Sequence, residues 1–285
     1  MQSLSGKTAV VTGGGNGIGF RLAHHLGREG MHVVLADLDP ESLEDAAAAL
    51  RGANVEVLAV QTDTSRQESV EALARAALDR FGRVHVVCSN AGVGAGGPVE
   101  TAPLETWERV FGVNIYGNIH CLRAFIPPMK AMDEEAHFVF TASSGGLLAS
   151  EPMFPFNAPQ YIVSKYATVG LAECAYYQLL GTKIGVSCLC PSATNTRMGT
   201  RGGRDVAAIE AAARQNRSIE QVERNRALMA KGQDPDIVAR KTVEAIKQRR
   251  FWVIPETNVL PAIRRRFQAI MGEGEMPAPR EWIDD

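Results

Sequence analysis

Residues 8–19 decide the fold: Thr8-Ala9-Val10-Val11-Thr12-Gly13-Gly14-Gly15-Asn16-Gly17-Ile18-Gly19. The first five are apolar or β-branched, a short run that is typical of a buried parallel strand. Glycines follow at once, and the residues from there to about Gly30 predict a helix. A glycine turn between a strand and a helix lets the backbone approach a diphosphate, and the start of the helix offers unpaired N–H groups. We therefore predict a phosphate-binding turn and not simply a flexible glycine loop.

The spacing in this turn is T-G-x-x-x-G-x-G, and its candidate cofactor contacts are Gly13, Asn16, Gly17, Ile18 and Gly19. The second predicted strand, over residues 32–36, ends at Asp37. An acid in this position binds the adenosine ribose hydroxyls and repels a 2′-phosphate. A helix cap is the alternative role for Asp37, but Asp39 fits the cap position better. Because no Lys or Arg lies in the turn or directly after Asp37, we predict NAD and not NADP.

Strands and helices then alternate along the chain. We predict helices over residues 41–51, 67–81, 105–132, 161–181 and 234–248, and strands over residues 55–61, 84–88, 137–141 and 251–254. A sixth strand precedes Pro191, and the last strand lies at an edge. This alternation predicts an α/β fold, a Rossmann-like doubly wound parallel sheet of seven strands with helices on both faces in three layers.

Polar residues follow the third and fourth predicted strands, at the sheet edge where open α/β sheets bind ligands. Asp63 and Thr64 come directly after the third strand, where Asp63 contacts the adenine ring or caps the next helix. Asn90, Ala91 and Gly92 end the fourth strand beside the glycine turn. We predict that these residues also contact the cofactor.

Tyr161 and Lys165 lie four residues apart in a predicted helix, so their side chains share one face. A free tyrosine titrates near pH ~10, and a close ammonium group favours its phenolate. The pair is therefore a candidate general acid–base unit, although a structural pair on a helix surface has the same spacing.

Asn114 and Ser143 are further candidates for the catalytic site. Asn114 lies in the middle of a predicted helix among apolar neighbours, which is unfavourable by helix propensity. It is either a structural asparagine with buried hydrogen-bond partners or the mark of a helix distorted to hold a water. Ser143 and Ser144 follow the fifth strand at the same carboxyl edge of the sheet.

Composition excludes several classes of function. The formal net charge of -2 and the pI near 6.3 give no electrostatic reason to expect nucleic acid or a membrane as a partner. Five cysteines without a framework spacing suit a reducing compartment, and Cys188 and Cys190 fit buried small side chains better than metal ligands. The six histidines are scattered along the chain, so we predict no metal site. Because no apolar run approaches membrane-spanning length, we predict a cytoplasmic protein.

Five motifs in register resemble those of the short-chain dehydrogenase/reductase family: the glycine turn, Asn90-Ala91-Gly92, Asn114, Ser143 and Tyr161-x-x-x-Lys165. The resemblance implies that Tyr161 is the catalytic base or acid, and that Lys165 lowers its pKa and holds the nicotinamide ribose. It also implies that Ser143 hydrogen-bonds the reacting oxygen and that Asn114 holds a water of the proton relay. Ser143 is preferred over Ser144 because the family's phrase S-x-x-G-L begins there.

The same resemblance adds Pro191, Thr194 and Thr196 to the cofactor contacts, with Thr196 at the contact to the nicotinamide carboxamide. Ser192 stands where the family has a glycine, so the path of this loop is open to change. Residues 151–157 form an insertion that we expect to lie over the substrate pocket, as a lining or as a plain packed loop.

By analogy with the family, the chain is one domain over residues 1–285. Residues 1–196 form the cofactor and catalytic core, and residues 197–233 form an arginine-rich substrate lid. Residues 234–285 supply the C-terminal helix, the edge strand and an amphipathic tail that covers the pocket or packs on a neighbouring subunit.

Residues 112–117, 126–129 and 253–270 are similar to bacterial Cα-dehydrogenases of lignin-derived aryl ethers, which oxidise a benzylic secondary alcohol with NAD. The expected activity is reversible NAD-dependent oxidation of a secondary alcohol, benzylic in the first place, to a ketone. The alternatives are a hydroxysteroid or other alicyclic alcohol dehydrogenase, a dehydratase or epimerase with tightly held NAD, and a catalytically silent nucleotide-binding regulatory protein. Expected partners are a small-molecule alcohol or ketone and further copies of the chain, in a homodimer or homotetramer.

Overall fold

The computed structural model describes residues 1, 3–94, 97–149, 158–196 and 230–274. Its strands are β1 (Thr8–Thr12), β2 (His32–Asp37), β3 (Val57–Gln61), β4 (Val86–Ser89), β5 (Ala136–Thr141), β6 (Ile184–Leu189) and β7 (Trp252–Val253). Its α-helices are α1 (Gly17–Arg28), α2 (Pro40–Gly52), α3 (Gln67–Phe81), α4 (Leu104–Phe111), α5 (Gly117–Ala131), α6 (Pro159–Gln178), α7 (Pro235–Gln248) and α8 (Leu260–Ile270). The predicted insertion at 151–157 and residues 197–229 of the predicted lid lie outside the described residues.

The seven strands form one parallel sheet in the order β3-β2-β1-β4-β5-β6-β7. The predicted fold class, a Rossmann-like doubly wound sheet with helices on both faces, is confirmed. The strand order reverses at β1, whose two neighbours are β2 and β4. Ligands of open parallel sheets bind at the carboxyl edge beside such a reversal, and the glycine turn follows β1 at this point.

Two apolar layers cover the faces of the sheet. The first includes Leu22 and Leu26 of α1, Leu43 and Leu50 of α2, and Ile246 of α7. The second includes Leu73 of α3, Phe125 and Met129 of α5, and Ala172 of α6. Since helices cover both faces, strands such as β1, β5 and β6 are buried along their whole length.

Four of the five cysteines are buried like small apolar side chains, and Cys174 is exposed. Cys188 and Cys190 are buried on one face of the sheet with their sulfurs 3.7 Å apart, as the sequence predicts. All five cysteines of the chain are free thiols. None of the helices in the described ranges is long and apolar enough to cross a membrane.

The helix predicted over residues 105–132 consists of three pieces. α4 leads into a π-helical turn over Gly112–Tyr116, and α5 follows without a break. The N–H of Gly117 accordingly bonds to the carbonyl of Gly112, five residues back. Asn114 lies at the centre of this turn, so the distortion that the sequence raised as an alternative is present.

Candidate active site

The glycine turn is tight because three segments of backbone meet in it. Gly13 has a φ of 62°, and a Cβ placed on it would lie 2.9 Å from the Cα of Ala91. A Cβ on Gly19 would overlap the carbonyl oxygen of Gly13. Side chains at these two positions would push the turn away from the helix, which explains the glycines.

The start of α1 has the properties of an anion site. Gly17 is its first residue, and no acidic residue lies in the first turn. Asn16 precedes the helix without a side-chain cap hydrogen bond, so the N–H groups of the first turn remain available to a phosphate. Ile18 packs against the first core layer and holds the helix start against the sheet. These features fit the diphosphate of a dinucleotide.

Asp37 faces the glycine turn from the end of β2. One carboxylate oxygen accepts a hydrogen bond from the N–H of Gly15 at 2.9 Å, and the other accepts from the N–H of Asp39 at 3.2 Å. Asp39 itself caps α2, because its side chain accepts from the N–H of Glu41 at 3.2 Å. The prediction that Asp39 is the helix cap is confirmed, and Asp37 is left at the edge of the turn.

Asp63 and Thr64 lie in the loop between β3 and α3. Asp63 accepts hydrogen bonds from the N–H of Ser65 at 2.9 Å and from its hydroxyl at 2.6 Å. This bonding stabilises the turn before α3, a form of the capping alternative. Thr64 is buried, and a Cβ on Gly117 would lie 3.2 Å from its side chain. Their contact with a cofactor stays a prediction.

Asn90, directly after β4, hydrogen-bonds to the carboxyl ends of β1 and β5. Its amide group donates to the carbonyl oxygens of Thr12 at 3.0 Å and Gly13 at 3.3 Å, while its oxygen accepts from the hydroxyl of Thr141 at 3.2 Å. The N–H of Ala91 donates to the Thr12 hydroxyl at 3.0 Å. The segment after β4 therefore forms a rigid floor beside the glycine turn.

Gly92 separates two of the predicted catalytic side chains. A Cβ placed on it would lie 3.4 Å from the Oδ1 of Asn114 and 3.5 Å from the Nζ of Lys165. Both polar groups thus approach the backbone of the floor at one point.

Asn114 joins that floor to α6 through its side chain. Its Oδ1 accepts from the N–H of Val93 at 2.9 Å, and its amide group donates to the Val93 carbonyl at 3.0 Å. The same amide donates to the hydroxyl of Ser164 at 2.9 Å. Asn114 is wholly buried, and these bonds satisfy both ends of its amide.

Ser143 follows β5 and begins a short 3₁₀ turn over Ser144–Gly146. Its hydroxyl accepts from the N–H of Gly145 at 3.1 Å and lies 3.4 Å from the carbonyl of Pro191, which also accepts from the N–H of Ser144 at 2.9 Å. The ends of β5 and β6 are joined in this way, and Ser143 lies near enough to Tyr161 to lower the pKa of its phenol.

Tyr161 and Lys165 lie in the first two turns of α6, with the Lys165 Nζ 5.5 Å from the centre of the Tyr161 ring. Lys165 is 2% exposed, and its ammonium donates to the carbonyl of Thr141 at 2.8 Å. The structure therefore brings Ser143, Tyr161, Lys165 and Asn114 to one place, as their motifs predict.

Burial dominates the titration of this pair. It raises the pKa of the Tyr161 phenol, while the nearby side chain of Ser143 opposes that rise. Burial also lowers the pKa of Lys165 to about 8, against a smaller opposing effect of the nearby thiols Cys190 and Cys188. The spacing of the pair predicts that Lys165 lowers the pKa of Tyr161, but in the chain by itself desolvation of the phenol is the larger effect.

The loop after β6 reaches the glycine turn despite Ser192. The Thr194 hydroxyl donates to the carbonyl of Ser192 at 3.0 Å, and Thr194 bridges to Gln233. A Cβ on Gly17 would lie 3.2 Å from the side chain of Thr196. Thr196 therefore lies over the turn, and its contact with a nicotinamide stays a prediction.

A cavity of about 480 Å³ opens beside the turn, between α1, α2 and this loop. Arg21 lines it together with Gly15, Asn16, Gly17 and Thr196. The turn itself contains no cation, and Arg21, which lies one helical turn after Gly17, is a lining residue that the motif does not include. The i, i+4 spacing from the motif was the available signal.

His24, His25 and Asp236 form a group whose ligand atoms lie within 4.8 Å of one another. The imidazole of His25 is 3.0 Å from the Asp236 carboxylate. Burial lowers the pKa of His24, and His25, Arg21 and Arg28 act in the same direction. A cation is disfavoured among these positive groups, so we interpret the cluster as a contact between α1 and α7.

A protein-family model described as short chain dehydrogenase matches residues 7–207. The chain is 37% identical over 197 residues to a 1-deoxy-11-beta-hydroxypentalenate dehydrogenase of Streptomyces exfoliatus, covering 68% of this chain and 70% of that protein. It is 28% identical over 280 residues to a C alpha-dehydrogenase of Sphingobium sp., covering 95% of this chain and 87% of that protein. A solved short chain dehydrogenase/reductase from Burkholderia phymatum in complex with NAD is similar with a TM-score of 0.86 and 37% identity, covering 98% of this chain and 99% of that chain.

Proposed function

The chain belongs to the short-chain dehydrogenase family, and we propose that it interconverts a secondary alcohol and a ketone with NAD as the hydride carrier. One observation carries this proposal: the buried ammonium of Lys165 lies 5.5 Å from the centre of the Tyr161 ring, and Ser143 acts on the same phenol by lowering its pKa. A phenol and a hydroxyl held together can offer a proton acceptor and a hydrogen-bond donor to one substrate oxygen.

In the oxidative direction, Tyr161 takes the proton of the substrate hydroxyl while Ser143 hydrogen-bonds the same oxygen. NAD supplies the hydride acceptor and a positive charge when it is bound. Lys165 adds a fixed positive charge that favours the phenolate against the effect of burial. The family pattern gives Asn114 a place in the relay through which the proton leaves.

NAD is proposed over NADP because of Asp37. Its carboxylate stands at the end of β2 and accepts from the N–H of Gly15, beside the glycine turn. A 2′-phosphate close to that carboxylate would be repelled, while ribose hydroxyls would donate to it. The Burkholderia phymatum structure, which contains NAD, supports the same choice.

The remaining proposed cofactor contacts lie at the carboxyl edge of the sheet, after β1, β3, β4 and β6. They are Gly13, Asn16, Gly17, Ile18, Gly19, Asp63, Thr64, Asn90, Ala91, Gly92, Pro191, Thr194 and Thr196. Support comes from the available N–H groups at the start of α1 and from the approach of Thr196 to Gly17.

For the substrate we propose a benzylic secondary alcohol. The similarity to the Sphingobium C alpha-dehydrogenase covers nearly the whole chain and supports this class. The Streptomyces enzyme acts, by its name, on a hydroxypentalenate, which makes an alicyclic alcohol the second candidate.

We also propose that the protein works in the cytoplasm as a homodimer or homotetramer. Its five cysteines are all free, which suits a reducing compartment. Symmetric homo-oligomers are common among soluble enzymes.

The test follows reduced-nicotinamide absorbance with purified protein, NAD and NADP in parallel, and a panel of benzylic, alicyclic and aliphatic secondary alcohols. We expect turnover with NAD on one of the first two classes. Turnover only with NADP would remove the assignment of Asp37. Bound NADH without turnover on any alcohol would contradict the enzyme and favour a nucleotide-binding regulatory protein.

A further inference from the structure

Asn118 is a buried polar residue of α5 that the family motifs do not include. It lies one helical turn after Asn114 and is 2% exposed. Its amide group donates to the backbone carbonyl of Asn114 at 2.6 Å. Asparagine is a poor helix former, and here it occupies a position at which a core helix ordinarily buries an apolar side chain.

A gain in folding stability does not explain why position 118 holds an asparagine. Its Oδ1 is buried and accepts no hydrogen bond from the described part of the chain. A buried amide oxygen without a donor costs free energy, which offsets the gain from the bond on the other side of the amide. An apolar residue of similar size would avoid that cost, so another property must account for Asn118.

The bond of Asn118 ends on the distorted part of the helix. The π-helical turn shifts the backbone bonds by one residue, as the bond from Gly117 to Gly112 shows. The Asn114 carbonyl, in the middle of this turn, is approached by two side chains. Asn118 donates to it from α5 at 2.6 Å, and the Thr168 hydroxyl lies 3.3 Å from it on α6.

The side chain of Asn114 connects this part of the helix to the catalytic tyrosine. It donates to the Ser164 hydroxyl at 2.9 Å, and Ser164 in turn donates to the Tyr161 carbonyl at 2.7 Å. The other bonds of Asn114 hold Val93, next to the floor residue Gly92. A continuous set of hydrogen bonds thus runs from Asn118 through Asn114 and Ser164 to the backbone of Tyr161.

We propose that Asn118 is a positioning residue for catalysis, which fixes the Asn114 carbonyl and thereby the placement of Tyr161 against Ser143 and Lys165. The proposal rests on the dehydrogenase function proposed above. Thr168 cannot replace Asn118, because its hydroxyl is nearer to the Ser164 carbonyl, at 2.9 Å, than to that of Asn114.

The test compares Asn118→Thr with Asn118→Val. The two side chains have nearly the same shape, but a threonine hydroxyl on a helix can donate to the carbonyl four residues back, which is that of Asn114. We expect Asn118→Thr to keep kcat within about fivefold of the wild type and Asn118→Val to lose a further tenfold or more. KM for NAD should agree within about threefold in both, and the thermal midpoint of Asn118→Val should be equal to or above that of Asn118→Thr.

A matched control is Thr242→Val in α7. It removes a buried hydroxyl that donates to the Val238 carbonyl at 2.8 Å, which is the same kind of bond in a helix away from the site. We expect no change in kcat from this variant. If kcat is equal in Asn118→Thr and Asn118→Val, or falls in proportion to the thermal midpoint in all three variants, Asn118 is only structural.

A second readout needs no substrate. The titration of Tyr161 is obtained from phenolate absorbance as the difference between each protein and the same protein carrying Tyr161→Phe. We expect a higher pKa of Tyr161 in Asn118→Val than in Asn118→Thr, because the phenol moves relative to the ammonium of Lys165. If the wild type turns over no alcohol, the proposed function fails. This titration still decides the role of Asn118, since equal pKa values in the two variants would overturn it.

Discussion

The ammonium of Lys165 lies 5.5 Å from the centre of the Tyr161 ring and donates to the last carbonyl of β5, at Thr141, over 2.8 Å. The sheet thus holds a charge beside the phenol before any ligand binds. Both groups are desolvated, and burial acts in opposite directions on them, raising the pKa of the phenol and lowering that of the amine. The same burial that makes the pair costly for folding also strengthens the charge that acts on the phenol.

Replacement of Lys165 by methionine should separate stability from activity. Burial lowers the pKa of Lys165 to about 8, against about 10.4 for an exposed lysine. Between these pH values the unfolded chain binds a proton that the folded chain does not, so the charged amine costs roughly 3 kcal/mol below pH 8. We expect Lys165→Met to raise the free energy of unfolding at pH 7 by roughly 1–3 kcal/mol and to lower kcat about a hundredfold.

Urea unfolding at pH 7 and pH 9.5, together with the absorbance assay, measures both effects. In the wild type the cost of Lys165 to the free energy of unfolding becomes smaller as the pH rises from about 8 towards 10.4. The variant should not show this increase in stability. A variant that is less stable at pH 7 and keeps its turnover would contradict both parts.

Gly92→Ala should harm function without harming the fold. The new Cβ would lie 3.4 Å from the Oδ1 of Asn114 and 3.5 Å from the Nζ of Lys165, which is ordinary contact distance. We expect a thermal midpoint within about 2 °C of the wild type and a kcat/KM about tenfold lower, because the methyl group enters the space between the two polar groups. Gly170→Ala on α6 is the control, since a Cβ there meets no atom within 4 Å. Equal activity of the two variants would show that this space is not used.

Asp37→Ser combined with Leu38→Arg should shift the coenzyme preference towards NADP. Asp37 carries the charge that we expect to repel a 2′-phosphate, and Leu38, directly after it, is 58% exposed. We predict a fall of about tenfold or more in kcat/KM for NAD and a comparable rise for NADP, because an arginine can pair with the phosphate.

Asp39→Asn is the matched control for this change. Asparagine still caps a helix, so the variant removes a neighbouring charge and keeps α2 intact. A shift in coenzyme preference with Asp39→Asn as large as that of the double variant would show that net charge, and not the position of Asp37, is decisive.

His137 should make the fold sensitive to acid. It is fully buried in β5, and burial, with a smaller effect of Arg249, lowers its pKa to about 3. Its Nε2 lies 2.8 Å from the hydroxyl of Ser187, which donates its own proton to the Arg250 carbonyl at 2.6 Å. The imidazole must therefore be the donor to Ser187, in the neutral form with its proton on Nε2.

The unfolded chain binds a proton at His137 below pH about 6.5, whereas the folded chain does so only near pH 3. Stability should therefore fall as the pH drops, by roughly 1.4 kcal/mol per pH unit from this residue. Urea unfolding of His137→Leu at pH 7, 6 and 5 should show a smaller fall than the wild type, and the difference should approach roughly 1.4 kcal/mol per pH unit only below about pH 6. An equal pH slope in the two proteins would remove His137 as the cause.

The features that could be predicted are those set by residues close to one another in the sequence. The run of buried strands, the glycine turn and the spacing of Tyr161 and Lys165 depend on neighbouring residues, and all are found as predicted. The assignment of Asp39, and not Asp37, as the cap of α2 also follows from their positions relative to the start of the helix.

Features that depend on the folded environment were not predictable. The π-helical turn around Asn114 shifts the bonding by one residue without a sequence signature of its own, and a buried asparagine was the only hint. The contact of His25 with Asp236 joins residues 211 positions apart. The raised pKa of Tyr161 follows from burial, which spacing along a helix does not reveal.

Tyr161→Phe removes the hydroxyl to which proton transfer is assigned. The measurement compares kcat/KM for the best alcohol of the panel with the dissociation constant of NADH, for variant and wild type at the same pH. We expect kcat/KM to fall by about 10³-fold or more, while the dissociation constant stays within about threefold, because only the proton-transferring hydroxyl is lost. A variant that keeps more than about a tenth of the wild-type kcat/KM would show that Tyr161 is not the proton-transferring group.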